Sequence, residues 1–158
     1  MGEALMETQT IEHKQIVKKI RPWKAVVVRV ARNEVGDEIK KLLASAGTPE
    51  WALDVNWADV FPYWLIATVN DDVVGCAQVV PAKPYGYIEF LCVKPDAKSS
   101  VRIVAAKKLF VGACQQLQAL GSAYAFGFVA LHNKPFKNML KKQGCLISSE
   151  GHLTVKKL

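Results

Sequence analysis

A single acidic side chain, Glu89, stands in the otherwise apolar run Tyr87-Ile88-Glu89-Phe90-Leu91-Cys92-Val93. An ionised carboxylate is expensive to bury among apolar neighbours, so Glu89 either faces a wet cleft, titrates above the usual carboxylate range, or sits at an edge in an ion pair. The first two settings suit a general base. In a strand Tyr87 lies on the same face two residues earlier, where its hydroxyl can donate a proton or hold a substrate. His132 is of a type that titrates near neutrality, although a histidine at a loop end commonly serves as a hydrogen-bonding group. A second constellation, Lys98-Ser99-Ser100-Val101-Arg102-Ile103, puts two cations and two hydroxyls where a helix begins. The first-turn N–H groups of a helix have no intrahelical partner and favour an anion, whereas cations there oppose the helix dipole by roughly 0.3–1 kcal/mol. A phosphate held between them reconciles the two effects; the alternative is a capped helix with a basic first turn.

The wider composition narrows the chemistry. The chain has 158 residues, 51% hydrophobic and 22% charged, which fits one compact soluble domain. No apolar run approaches the roughly 18 residues that span a bilayer, and the opening MGEALMETQTIEHK lacks the apolar core of a signal peptide, so a cytoplasmic protein with no membrane partner is expected. Cys76, Cys92, Cys114 and Cys145 are far apart, as are His13, His132 and His152, so buried reduced thiols are expected and no metal site is assigned. The net charge of +7 is uneven: residues 94–158 carry eleven Lys and Arg against Asp96 and Glu150. That field suits a polyanionic partner or a solvated basic face. Nucleic acid is disfavoured as the partner, because the aromatic residues fall within apolar strands and no nucleic-acid motif is present.

These residues need elements to position them. Residues 1–22 read as an extension ending at Pro22, and 23–158 as the domain. Residues 24–31 form a β-branched strand, followed by a helix with Val35, Ile39, Leu42 and Leu43 on one face and Gly47 at its end. Residues 48–62 read as a short helix or lid, in which Trp51, Trp57 and Phe61, with Trp64 just beyond, are core packing or the wall of a pocket, and Asp54 and Asp59 could attract a cation. Two β-rich runs around Asn70-Asp71-Asp72 make a hairpin, and residues 87–93 add a third antiparallel strand. A long helix from Ser99 to Leu120 carries Val104, Leu109, Ala113, Leu117 and Leu120 on one side and stops at Gly121. A strand at 123–131, a helix capped by Asn133 and Gly144, and a hairpin turning at Glu150-Gly151 complete the order β-α-α-β-β-β-α-β-α-β-β. The fold class is α/β (α+β), a mixed, mostly antiparallel sheet of six to seven strands with flanking helices. The long helix is a crossover that makes strands 87–93 and 123–131 parallel neighbours, and ligands of such sheets collect where those strands splay beside the helix N-terminus.

In element order, in Val93-Lys94-Pro95 with a basic residue three positions on, and in Asn133 followed eleven residues later by Gly144, residues 24–158 resemble the GCN5-related N-acetyltransferase (GNAT) family. The resemblance implies acetyl-CoA as co-substrate and direct acetyl transfer to a primary amine in a ternary complex. It implies that the backbone of Leu91, Cys92 and Val93 pairs with the pantetheine arm, that Lys98, Ser99, Ser100, Val101, Arg102, Ile103 and Val104 carry the pyrophosphate, and that Asn133 borders the cofactor. Glu89, with Tyr87 and His132 as secondary candidates, is then the catalytic assignment. The chain departs from the family pattern in two places. Val101 and Ile103 fill the loop positions where the family has glycine, and Leu140 stands seven residues after Asn133, where many members have a tyrosine acid. A glycine leaves clearance for phosphates; a branched residue keeps the helical N–H donors but crowds them. The second reading is therefore a catalytically weak or inactive CoA-binding or interaction module. A homodimer is compatible with either.

Overall fold

The computed structural model describes residues 22–50, 53, 63–129, 133–148 and 153–158. Within them a one-turn helix α1 (Pro22–Ala25) precedes β1 (Val27–Val30), a 3-10 turn (Asn33–Val35) and α2 (Gly36–Ser45). Then come β2 (Trp64–Val69), β3 (Asp72–Val80), β4 (Tyr85–Val93), α3 (Ser99–Ala119), β5 (Tyr124–Phe128), α4 (Lys134–Lys142), β6 (Leu146–Ile147) and β7 (Leu153–Lys157). Of the short helix or lid expected at 48–62 only residues 48–50 and Leu53 are described, and the extension before Pro22 and the turn at Glu150-Gly151 lie outside the described residues.

The first expected strand is shorter than its β-branched run. Proline is preorganised for the first position of a helix, and Pro22 starts α1 instead of merely ending what precedes it. Lys108 then fixes the turn, its Nζ donating to the carbonyls of Trp23 at 2.6 Å and Val26 at 2.7 Å while lying 4.6 Å from the Trp23 ring centroid. One of the basic residues of the second half is thus spent on packing.

The seven strands form one sheet in the order β1-β2-β3-β4-β5-β7-β6, antiparallel except where β4 and β5 run parallel. The β2–β3 hairpin turns on Asn70 and Asp71 with φ of 50° and 69°, as their residue types allow. Alternation along β2 sends Leu65 and Ala67 to one face, under Leu109, Ala113 and Leu117 of α3, and Trp64 and Ile66 to the other, against Ile39, Leu42 and Leu43 of α2. Leu109, Leu117 and Ile39 are completely buried, each contributing about 1.5–3 kcal/mol of burial free energy. Leu120, expected on the buried side of the long helix, is instead 41% exposed, because the helix ends at Ala119 and Gly121 turns the chain with φ 89°.

Two features of β4 shape its path past β5. Gly86 lies against α3, where a Cβ would collide with the Leu117 side chain and the Ser122 hydroxyl, so the strand approaches the helix closely at this point. Farther along, the pairs Gln78↔Glu89 and Cys76↔Cys92 enclose one more residue on β4 than on β3, and Phe90 takes φ 48°. This is a β-bulge, which bends a strand and re-aims its side chains. Pairing of β4 with β5 stops at Ile88↔Gly127, before the bulge.

Candidate functional site

Past Ile88 the facing edges of β4 and β5 carry no ladder hydrogen bonds to one another, and their polar groups are open to a ligand's. A cavity of about 290 Å³ occupies this gap, bounded by Glu89, Phe90 and Leu91 of β4, Gly127 and Phe128 of β5, Phe110 of α3 and Leu140 of α4. A groove of about 310 Å³ continues between the start of α3 and α4, bounded by Val93, Ser99, Arg102, Ile103, Asn133 and Met139. Phe136 borders both. Together they run from a carboxylate to a helix N-terminus.

That N-terminus has no side chain to cap it. Lys98 occupies the N-cap position without a capping hydrogen bond, and no acidic residue lies in the first turn. The first backbone bond closes from Arg102 N to Lys98 O at 3.0 Å, so the N–H groups of Ser99, Ser100 and Val101 precede the helical ladder. Among the described residues the one ion pair joins Lys94 to Asp96 at 3.9 Å, and neither Lys98 nor Arg102 is in it. At the start of α4, Asn133 behaves as expected of an N-cap, its Oδ1 accepting from Phe136 N at 3.3 Å. The amide N–H₂ of Asn133 is not used in that bond.

The structure gathers some of the sequence-derived residues and separates others. Val93, Ser99, Arg102, Ile103 and Asn133 meet in the groove, and Leu91 and Glu89 in the adjoining cavity. Lys98 and Val101 turn into a separate depression beside Lys94 and Asp96. Ser100 is exposed, Val104 packs on the main core, and the Cys92 thiol points through the sheet toward the α2 side, leaving its backbone as the part available to a ligand in the gap. Tyr87 lies beside Phe126, ring centroids 6.0 Å apart, and lines neither space. His132, Trp51, Trp57, Phe61, Asp54 and Asp59 lie outside the described residues. Trp64 is buried in the sheet, stacked on Phe90 with centroids 6.1 Å apart, rather than in a pocket wall.

The two absent glycines therefore differ in consequence. Val101 packs away from the groove, while Ile103 is 64% exposed and lies in it. Of the two, Ile103 is the one that narrows the groove. Leu140 is buried in the cavity wall and offers no proton.

Sequence reasoning missed three contributors. Phe136 joins the two spaces, and its position three residues after Asn133 on an amphipathic helix was the available signal. Phe128 is 72% exposed at the mouth of the gap, where its apolar type suggested only a strand interior. Lys156 reaches under the sheet, donates to the Gln143 carbonyl at the end of α4 at 2.9 Å, and lies 5.5 Å from the Phe110 centroid. A cation at a helix C-terminus is favourable, and Lys156 both closes α4 and borders the cavity. Nearby, burial pushes the Cys114 thiol from 9.0 up to about 11 against the opposing effect of Lys156, and raises Cys145 in the same way.

Comparison with solved structures gives this geometry a context. The Ard1 protein of Thermoplasma volcanium superposes with a TM-score of 0.69 at 14% identity, covering 85% of this chain and 98% of that one. The fold is that of the GNAT acetyltransferases. A PaiA N-acetyltransferase from Thermoplasma acidophilum, solved in complex with coenzyme A, shares this GNAT fold with a TM-score of 0.63 at 14% identity, over 84% of this chain and 99% of its own. N-acetylglutamate synthase from Neisseria gonorrhoeae, complexed with coenzyme A and L-arginine, matches with a TM-score of 0.63 at 17% identity over 84% of this chain. There the chain spans about a third of that protein's length, 33%. No model of a known protein family and no curated protein matches the sequence. The GNAT architecture expected from element order is thus present, including the mixed sheet with its one parallel pair.

Proposed function

We propose that the protein binds acetyl-CoA in the space between β4, β5 and the start of α3 and transfers its acetyl group to a primary amine. The observation that carries this reading is the parting of β4 from β5 at the Phe90 bulge, opening toward a helix N-terminus with unpaired amides. The pantetheine arm carries amides that can take up strand hydrogen bonds from the backbone of Leu91 to Val93, as an added strand does. Its diphosphate suits the Ser99 to Val101 N–H groups and the Ser99 hydroxyl, with Arg102 alongside; charge-assisted bonds of this kind are stronger than neutral ones. Asn133 has amide donors left for the cofactor's far edge. The occurrence of coenzyme A in complexes with structural neighbours agrees with this reading.

In the reaction the residues have separate tasks. Glu89 takes a proton from the ammonium form of the acceptor, directly or through one water, freeing the lone pair that attacks the thioester carbonyl. Tyr87, which lines neither space, takes no step. Burial of the thioester between the strands fixes the distance to the amine. Leu140 cannot protonate the departing thiolate, so that proton comes from water or from the attacking nitrogen, which loses one as the tetrahedral intermediate collapses to the amide. The test is an assay of free thiol release from acetyl-CoA with a panel of polyamines, amino acids and peptides. Amine-dependent release supports the reading. Binding of acetyl-CoA with no release for any amine supports the second reading, a CoA-binding module, which the branched Ile103 and apolar Leu140 favour.

A further inference from the structure

We infer that Cys76 and Cys92 form a site of reversible oxidation, a dithiol in β3 and β4 that a hydroperoxide converts to a cross-strand disulfide. Their Sγ atoms are 3.5 Å apart, and the two residues are direct partners in the antiparallel register next to the β4 bulge. Directly opposed antiparallel residues have Cα atoms about 4.5–5.5 Å apart, inside the range a disulfide spans, so the sulfurs need only close to about 2.05 Å. All four cysteines are free, as expected, and Cys76 is buried, but Cys76 and Cys92 lie side by side across the two strands.

The pair is also asymmetric in a way that orders the chemistry. Cys76 is completely buried, with its Sγ also 3.8 Å from the Phe90 carbonyl oxygen; Cys92 is partly exposed. The sulfur–sulfur contact with Cys76 holds Cys92 below the usual thiol range, whereas the same contact, followed by burial, pushes Cys76 well up. Cys92 is therefore the more readily deprotonated thiol on the less buried residue, and Cys76 the resolving partner. The Cys92 thiolate attacks one peroxide oxygen; an S–O bond forms, the O–O bond breaks, and the departing hydroxide takes a proton to leave as water. Cys76 sulfur then attacks Cys92 sulfur; the S–S bond forms, the S–O bond breaks, and the released hydroxide carries off the Cys76 proton as a second water. Two thiols have lost two electrons and two protons, and the peroxide has been reduced to water. Cys114 and Cys145, both buried and with raised pKa, do not compete for the first step.

The inference is independent of the acetyl-CoA reading. It is tested on the full chain, reduced and then exposed to hydrogen peroxide, by mass spectrometry of non-reduced peptides. A linked peptide pair containing Cys76 and Cys92, lighter by two hydrogens and separated by dithiothreitol, is expected. In Cys76→Ser, dimedone should label Cys92, the sulfenic acid now lacking its partner. Linkage of Cys114 to Cys145 as the main product, or conversion of Cys92 to sulfinic acid in the unmutated chain with no Cys76 link, would overturn the proposal. The unmutated chain supplies the first readout even if Cys76→Ser fails to fold.

Discussion

Replacing Ile103 by alanine should tighten coenzyme A binding, the unusual case of a truncation that improves a site. Ile103 is 64% exposed and lies in the groove, so roughly a third of its side chain is buried. Fully burying such a side chain is worth about 1.5–3 kcal/mol, which puts the cost of losing it near ~0.5–1 kcal/mol. The better helix propensity of alanine offsets about half of that, so stability should change by under ~0.5 kcal/mol. What is gained is approach to the Ser99, Ser100 and Val101 N–H groups. If clearing the branched side chain lets the diphosphate complete one charge-assisted hydrogen bond, the gain is about 1.5 kcal/mol, close to tenfold in Kd. Val101→Ala is the control: Val101 packs on the main core and faces away from the groove, so about 1 kcal/mol of stability should be lost with coenzyme A affinity unchanged. Isothermal titration with coenzyme A, paired with urea unfolding, reads both quantities. Unchanged affinity in Ile103→Ala together with tighter binding in Val101→Ala would refute the assignment of the groove.

Other expectations rest on the same geometry. Glu89→Gln should lower the amine-dependent rate by roughly 10²–10⁴-fold with coenzyme A affinity almost unaltered, and an unaltered rate removes Glu89 as the base. Arg102→Ala should weaken coenzyme A binding by about 0.3–1 kcal/mol, more at low salt, while Lys98→Ala, whose side chain lies in a separate depression, has less effect; the reverse order contradicts the groove as described. The Cys114 thiol is raised from 9.0 to about 11, so its protonated form is favoured in the folded chain. Stability contributed by that shift is complete below pH 9 and is lost between about pH 9 and 11, on the order of 2–3 kcal/mol at full loss. Cys114→Ala should flatten that part of a urea-unfolding pH series, and an identical slope in both proteins contradicts the assignment.

Much of the fold was legible because local signals agreed with one another. Asn70-Asp71 named a hairpin that positive φ angles confirm, Asn133 named a helix cap, and Gly47, Gly121 and Gly144 each end a helix with positive φ. The crossover helix made β4 and β5 parallel, as connection length requires. What sequence could not convey was direction. Val101 and Ile103 look equivalent as replacements for glycine, yet a two-residue step on a helix turns by about 200°, and only one side chain meets the groove. Cys92 looked like one more packing thiol because its partner Cys76 lies on another strand, and register is set by pairing, not by spacing along the chain. Lys108 and Lys156 counted toward a basic half, but each donates to backbone carbonyls of another element. A charge total carries no trace of such bonds.

The central claim, that the gap between β4 and β5 and the start of α3 hold acetyl-CoA, is tested most directly by mapping amide chemical shifts during a coenzyme A titration. The expected result is one saturable set of perturbations confined to Glu89–Val93, Ser99–Ile103 and the neighbourhood of Asn133 and Phe136. Saturable shifts centred elsewhere, such as the Lys94–Lys98 depression, or no shifts at millimolar ligand, would contradict it.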